Sequence, residues 1–392
     1  MTETTHATPD HAPWSSRLYA HREGTTLRTS YEVDKDRIVN CETFRELQYK
    51  TQVQSLDTLS SRGFRTRLNH VIEVAQIARR LSRGVGADDF LSEAISLGHD
   101  LGHPPFGHAG ERALHSLLAK AGHPAWNANV HSLAVVDLIE RSHIRHRGLN
   151  LTWATREGIA RHSTPFDEPV SFGEFARTSN GGLECQIVDA ADYIAYLAHD
   201  LDDALSAGYV TTHSVSGLNG TLARLLAESE ADWKATGETR WPLPEREPLI
   251  RKALVGRLVE LVIPETIGET KRRIASLDPA NHEAVRQSTN RTVGAPPEVE
   301  GLMRELLSFL MTNYYRSADV SRMDQNAEQI VYELFDFLLA NIGEIPERFR
   351  TDDDALAVGH YLVSLNDQSA TQLAVEAGVL EETGFQPGWR RF

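Results

Sequence analysis

His99-Asp100, inside HDLGHPPFGHAGE, sets an imidazole beside a carboxylate, with His103, His108 and Glu111 following in the same string. Neutral imidazole and carboxylate together suit a borderline-to-hard divalent cation such as Mn²⁺, Fe²⁺, Co²⁺ or Mg²⁺. One dipeptide cannot close a coordination shell, so further ligands must come from other segments. His70 in RTRLNHVIEVAQIARRL and Asp192 in DAADYIAYLAHDLDDAL are residues of the right type. His108 and Glu111 are three apart and meet on the first turn of a helix that begins near Phe106, where the carboxylate can orient the imidazole and set its tautomer. A histidine with a pKa near neutral can protonate a leaving oxygen or activate water.

The elements that must position these groups are helical. Val71, Val74, Ala75, Ala78 and Leu81 recur at three-to-four spacing and leave Arg67 and His70 together on another face, a ligand beside a phosphate clamp. Asp192, Tyr196 and Asp200 lie at i, i+4 and i+8, while Ile187, Ala191, Ile194, Ala198, Leu201 and Leu205 supply apolar surface. Taken alone, that acidic row reads equally as a solvated face or a site. The alanines and isoleucine around Asp192 favour burial, and a buried carboxylate needs a cation or donors. The same periodicity recurs at Leu302, Leu306, Phe309 and Leu310 and at Ile330, Leu334, Phe335 and Leu338. Strand-like alternation is scarce, so the predicted class is all-α. Breaks fall at Gly84-Val85-Gly86, Pro104-Pro105 and Gly122 to Pro124. The expected organisation is a mobile polar tail over 1–33, a core carrying the site over 34–212, and a helical C-terminal part over 213–392 packed on that core. Thr236 to Pro248 and Leu277 to Pro297 read as loops or insertions rather than linkers.

Composition excludes several classes. The chain has 392 residues, 41% hydrophobic and 24% charged, which is ordinary for a globular protein. No run of about 18 apolar residues predicts a membrane span, and MTETTHATPDHAPW has neither the basic nor the apolar region of a secretory signal. Cys41 and Cys185 fit no zinc or redox spacing, so a reducing cytoplasm is expected. The net charge of −15 disfavours non-specific binding along a nucleic-acid backbone. Arg141, Arg145 and Arg147, interleaved with His143 and His146, read as a solvated charged face.

The set His70, His99-Asp100 and Asp192 resembles the H…HD…D signature of the HD superfamily of metal-dependent phosphohydrolases. DRIVNCETFRELQYKTQV, RTRLNHVIEVAQIARRL, GHDLGHPPFGHAGE and AADYIAY, in that order, are similar to the branch that resembles deoxyguanosine triphosphate triphosphohydrolase. The close match covers Asp34 to Ala207, with a weaker echo at Leu302 to Asn341 and at His360 to Asp367. The resemblance implies an HD-domain helical core with additional C-terminal helices, holding one divalent metal through His70, His99, Asp100 and Asp192. It also implies attack at the α-phosphorus of a dNTP, releasing deoxynucleoside and intact triphosphate. His108 with Glu111 would be the catalytic pair, and His103 and Arg67 would contact phosphate. Gln52, Val53, Tyr196 and Asp200 would lie at the sugar. Arg161 falls at a position where the family carries a lysine on phosphate, and it reads equally as a solvated helix residue. A homo-oligomer, hexamer or tetramer, and an allosteric nucleotide or single-stranded DNA are further implications of the family alone.

Three departures from the family pattern bear on substrate preference. Tyr193 stands where a second Asp often follows the ligand, His131 replaces a common glutamine two residues after Asn129, and His360 replaces the first residue of a DYIAGMTD-like segment. Two alternatives remain. An HD-type nucleotidase or phosphodiesterase lacks support from the arginine and tyrosine blocks. A non-catalytic nucleotide or single-stranded nucleic-acid sensor would have lost a ligand or His108, and neither is missing.

Overall fold

The computed structural model describes residues 6–20, 27–52, 65–123, 127–163, 174–175, 180–235, 246–277 and 281–380. It is all-α, as the periodicity requires: among the described residues the only extended pairings are isolated bridges, Arg17 with Thr152 and Thr51 with Thr66. The helices that build the site are α1 (Ser30–Val39), α2 (Arg67–Val85), α3 (Asp89–Gly98), α4 (Gly107–Lys120), α5 (Trp153–Arg161) and α6 (Leu183–Ser206). The remainder is dominated by α7 (Arg246–Ala275), α8 (Pro297–Leu310), α9 (Ala318–Ala340), α10 (Asp354–Ser364) and α11 (Asp367–Glu376). The stretch from Leu277 to Pro297, read from sequence as a loop, holds a short helix at His282–Gln287.

Helix α2 starts where Thr66 and Asn69 satisfy each other's backbone N–H groups in a reciprocal cap, and it stops at Gly86, whose φ of 80° needs a residue without a Cβ. It packs on α3 and α6 and has two apolar flanks. Val74, Ile77, Ala78 and Leu81 join a core with α6, α7 and α8. Val71 and Ala75 join a second core with α4, α9, α10 and α11. The polar residues at its N-terminal end therefore lie at the seam between two apolar masses. Such a place is low in dielectric, which strengthens charge–charge interactions and makes an unpaired charge costly.

Polar pins lock the periphery to this core. Asp34 on α1 is fully buried and accepts from Arg17, from the Thr152 amide and from the hydroxyls of Thr152 and Thr155. Glu157 on α5 takes both arms of Arg286 at 2.7 and 2.6 Å, and that guanidinium lies 4.1 Å from the ring centroid of Trp14. Near the N-terminus Thr8 is buried and bonds Glu184 through its amide and hydroxyl.

Candidate metal centre and active site

The carboxyl end of α3 delivers His99 and Asp100, the first turn of α2 delivers Arg67 and His70, and the middle of α6 delivers Asp192. All five are buried. Asp100 is held by a turn in which Gly102 presses on the short helix Ala128–Ala134: a Cβ there would stand 2.2 Å from the Ser132 nitrogen and 2.3 Å from the Ala128 oxygen. Ser132 ties the contact, accepting from the Gly102 amide and donating to the His99 carbonyl.

The donor atoms are spaced as cation ligands. His70 Nε2 is 2.8 Å from Asp192 Oδ1, and His99 Nε2 is 3.2 Å from Asp100 Oδ1. Two ligands at right angles, each about 2.1 Å from an octahedral ion, stand about 3.0 Å apart. His99 Nδ1 contacts the Ser96 carbonyl oxygen at 2.7 Å, which assigns the proton to Nδ1 and leaves the Nε2 lone pair bare. That nitrogen and Asp192 Oδ1 are buried, and neither has an aligned hydrogen-bond partner among the described residues. A divalent cation is the partner that such atoms fit. Ligand atoms of His70, His99 and Asp100 form one close group, and those of His99, His162 and Asp192 form a second. His162 was assigned no role from sequence. Its Nε2 is 3.1 Å from Asp192 Oδ2 and its Nδ1 is 2.8 Å from Asp189 Oδ1, so it braces the Asp192 carboxylate. The only sequence signal for it was its place at the end of GIARH.

Electrostatics keep the two carboxylates ionised and His99 neutral, whereas at His70 burial is outweighed by the Asp192 charge and hydrogen bond, which raise the imidazole pKa. Burial opposes the charges on Asp100 and Asp192, yet neighbouring imidazoles outweigh it and hold both carboxyls well below the usual range, with Arg67 assisting at Asp100. Burial pushes the His99 pKa down and keeps the ring neutral. Arg67 is 2% exposed and donates to Asp100 Oδ2 at 2.9 Å, so its guanidinium is anchored in the wall rather than free in solvent.

A chain of imidazoles and carboxylates runs outward from Asp100. His103 stands between Asp100 Oδ1 at 3.1 Å and Glu111 Oε1 at 3.2 Å, and Glu111 Oε2 meets His108 Nδ1 at 2.8 Å. Burial opposes the Glu111 charge, but His103 and His108 overcome it and bring the carboxyl to about 2. Burial also lowers the His108 pKa, and the Glu111 hydrogen bond and charge more than reverse this, leaving it raised. His103, buried beside Arg67, is pushed down to about 4. His108 thus holds a proton more readily than His103. Its side chain, 45% exposed, is the most open member of the chain.

A cleft opens beside this line of groups. Its wall includes Gln52, Arg67, His103, His108, Tyr193 and Tyr196 together with His70, Asp100 and Asp192, and it adds His162 and Asn129, whose side chain bonds the His162 carbonyl at 2.7 Å. Asp200 and Arg161 are not brought to that wall. Asp200 is 1% exposed, and Tyr315, from the segment that follows α8, donates to it and stacks on Tyr196 with ring centroids 5.8 Å apart. Arg161 lies 3.4 Å from the Phe175 carbonyl. Val53 lies outside the described residues.

Comparison with known proteins places these features in a family. The profile described as HD domain matches residues 67–197, and the one described as phosphohydrolase-associated domain matches residues 293–376. A protein of Syntrophus aciditrophicus named deoxyguanosinetriphosphate triphosphohydrolase-like protein is 37% identical over 356 residues, covering 88% of this chain and 86% of the relative. Proteins of the same name are 33% identical in Bradyrhizobium diazoefficiens, over 92% and 94% of the two chains, and 34% identical in Geobacter sulfurreducens, over 88% and 87%. The chain thus belongs to the deoxyguanosinetriphosphate triphosphohydrolase-like family of HD-domain phosphohydrolases.

Proposed function

We propose that the protein hydrolyses deoxynucleoside triphosphates at the α-phosphorus, releasing the deoxynucleoside and intact triphosphate. The observation that carries this reading is the line from the buried His/Asp cluster through His103 and Glu111 to His108 along one wall of the cleft. The names of the relatives supply the substrate class. His70, His99, Asp100 and Asp192 are the residues that would hold one divalent cation, Mn²⁺, Mg²⁺, Co²⁺ or Fe²⁺. When bound, it would supply charge to polarise the phosphoryl group.

The remaining chemistry belongs to the chain. Glu111 fixes His108 with Nδ1 toward the carboxylate, so the opposite nitrogen, Nε2, is the one available to hand a proton to the leaving oxygen. Arg67 keeps Asp100 ionised and adds positive charge beside the phosphate path. Tyr193 and Tyr196 form the aromatic side of the cleft, suited to a sugar and base.

The test is a panel of the four dNTPs and their ribose counterparts with Mn²⁺, Mg²⁺ or Co²⁺, with products separated by chromatography. Intact triphosphate as product is expected. Pyrophosphate or orthophosphate as the first product would reject the assignment.

A further inference from the structure

The last residue of HYLVSLND is far from the cleft in sequence, yet it bonds two of the segments that build it. Asp367, at the start of α11, is fully buried. Its Oδ2 accepts from the Thr51 amide at 3.0 Å and the Thr51 hydroxyl at 2.8 Å, and its Oδ1 accepts from the Phe106 amide at 2.8 Å. Thr51 precedes Gln52, and Phe106 precedes α4, which carries His108 and Glu111. Next to it the buried Lys50 ammonium donates to the carbonyls of His103 and Val363, both at 2.7 Å, while the Lys50 carbonyl accepts from the Arg67 amide at 3.0 Å. The C-terminal helices thus hold two separate pieces of the site by buried hydrogen bonds, and Lys50 extends the network to the first turn of α2.

The turn they hold is strained. Phe106 has φ of 64° and Gly107 φ of 55°. A non-glycine residue persists in the left-handed region only where its surroundings over-determine it. Phe106 is buried with its amide on a carboxylate, an arrangement stronger than a bond to a neutral acceptor. Just beyond, Gly110 stands so close to the Pro105 carbonyl that a Cβ would be 2.1 Å from it, so the turn and the first coil of α4 move as one piece.

We propose that Asp367 is a positioning residue for the hydrolysis: it fixes the left-handed turn at Phe106 and thereby the direction in which α4 presents His108 to the cleft. This rests on the assignment of His108 to proton transfer. It also gives the C-terminal region a share in catalysis although Asp367 is not on the cleft wall.

Asp367→Asn keeps shape and burial but turns one acceptor into a donor facing a donor. With Mn²⁺ and dGTP, kcat is expected to fall about 10- to 100-fold, because small misplacements of a catalytic group cost that much. KM should stay within about threefold, since ground-state binding is not what was removed. Calorimetry should find Mn²⁺ affinity unchanged, and hydrogen exchange should find the Phe106 amide less protected. Thr51→Val, which removes one of the three donors, should move kcat and exchange the same way by less and serves if Asp367→Asn does not fold. A folded Asp367→Asn enzyme with wild-type kcat would overturn the proposal, as would a fall in kcat with the Phe106 amide still protected. Failure of the wild-type chain to release triphosphate would instead overturn the parent assignment, and amide exchange alone would then decide whether Asp367 holds the turn.

Discussion

Asp34 on α1 and Asp192 on α6 are both buried, and their surroundings differ in kind. Asp34 meets four protein donors: Arg17 at 2.5 Å, the Thr152 amide at 2.9 Å and two threonine hydroxyls at 2.6 and 2.7 Å. Asp192 meets imidazoles, and one of its oxygens has no aligned hydrogen among the described residues. A carboxylate whose lone pairs are filled by the protein is part of the scaffold. One that faces imidazoles at ligand spacing and keeps an unsatisfied oxygen is arranged for a cation the chain does not itself provide.

Substitution should separate the two. Asp192→Ala is expected to abolish turnover and Mn²⁺ binding while leaving the helical circular dichroism unchanged; retained metal affinity by calorimetry would break the contrast. Asp34→Ala should do the reverse. It strands the Arg17 guanidinium in the core, costing about 3–5 kcal/mol in denaturant melts, while kcat of the folded fraction stays near wild type. His108→Ala should lower kcat by about 10²–10⁴-fold, the usual weight of a general acid, with metal and nucleotide binding kept, and full hydrolysis by that variant would remove His108 from the mechanism. His162→Gln, which weakens the brace on Asp192, should reduce Mn²⁺ affinity about 10- to 100-fold, read by calorimetry.

The smallest effect concerns an acid between these extremes. Asp88 caps α3 through the amides of Phe90 and Leu91, yet burial, with Glu184 nearby, outweighs those bonds and raises its carboxyl to about 6. The folded state then holds a proton that the unfolded chain has lost between about pH 4 and 6, so this group's contribution falls as pH rises through that window. Asp88→Asn keeps the cap and should melt a few degrees above wild type at pH 7 but not at pH 4. Equal melting temperatures at both pH values would remove the linkage.

How much of this was legible depended on sequence distance. His108 and Glu111 share one helical turn, as do Arg67 and His70, so their meeting follows from helix geometry. The all-α class and the buried face of α2 follow from the same periodicity. His162 and Asp192 are brought together by the packing of α5 on α6, and nothing local marks a lone histidine at a helix end as a brace. Tyr315 reaches Asp200 from a segment more than a hundred residues away. Asp200 on its own helix face therefore looked like part of the cleft, whereas the fold pairs it with a tyrosine. The family resemblance implies a phosphate contact for His103, and its place between two acids depends on the turn at Pro104 to Phe106, which spacing alone does not define.

The contact at Gly102 bears on how such an enzyme can change. With backbone atoms of a neighbouring helix already where a side chain would begin, the HDLG turn has no room to vary by even one methyl group. Mutational drift on that side of the cleft would displace Asp100 before it could reshape the space for substrate. The opposite side, with Tyr193 and Tyr196 on the wall and Tyr315 stacked behind, is built from side chains of adjustable size. Any divergence in what the cleft accepts should accumulate there, so a library aimed at altered substrate range belongs on those tyrosines and not on the glycine side.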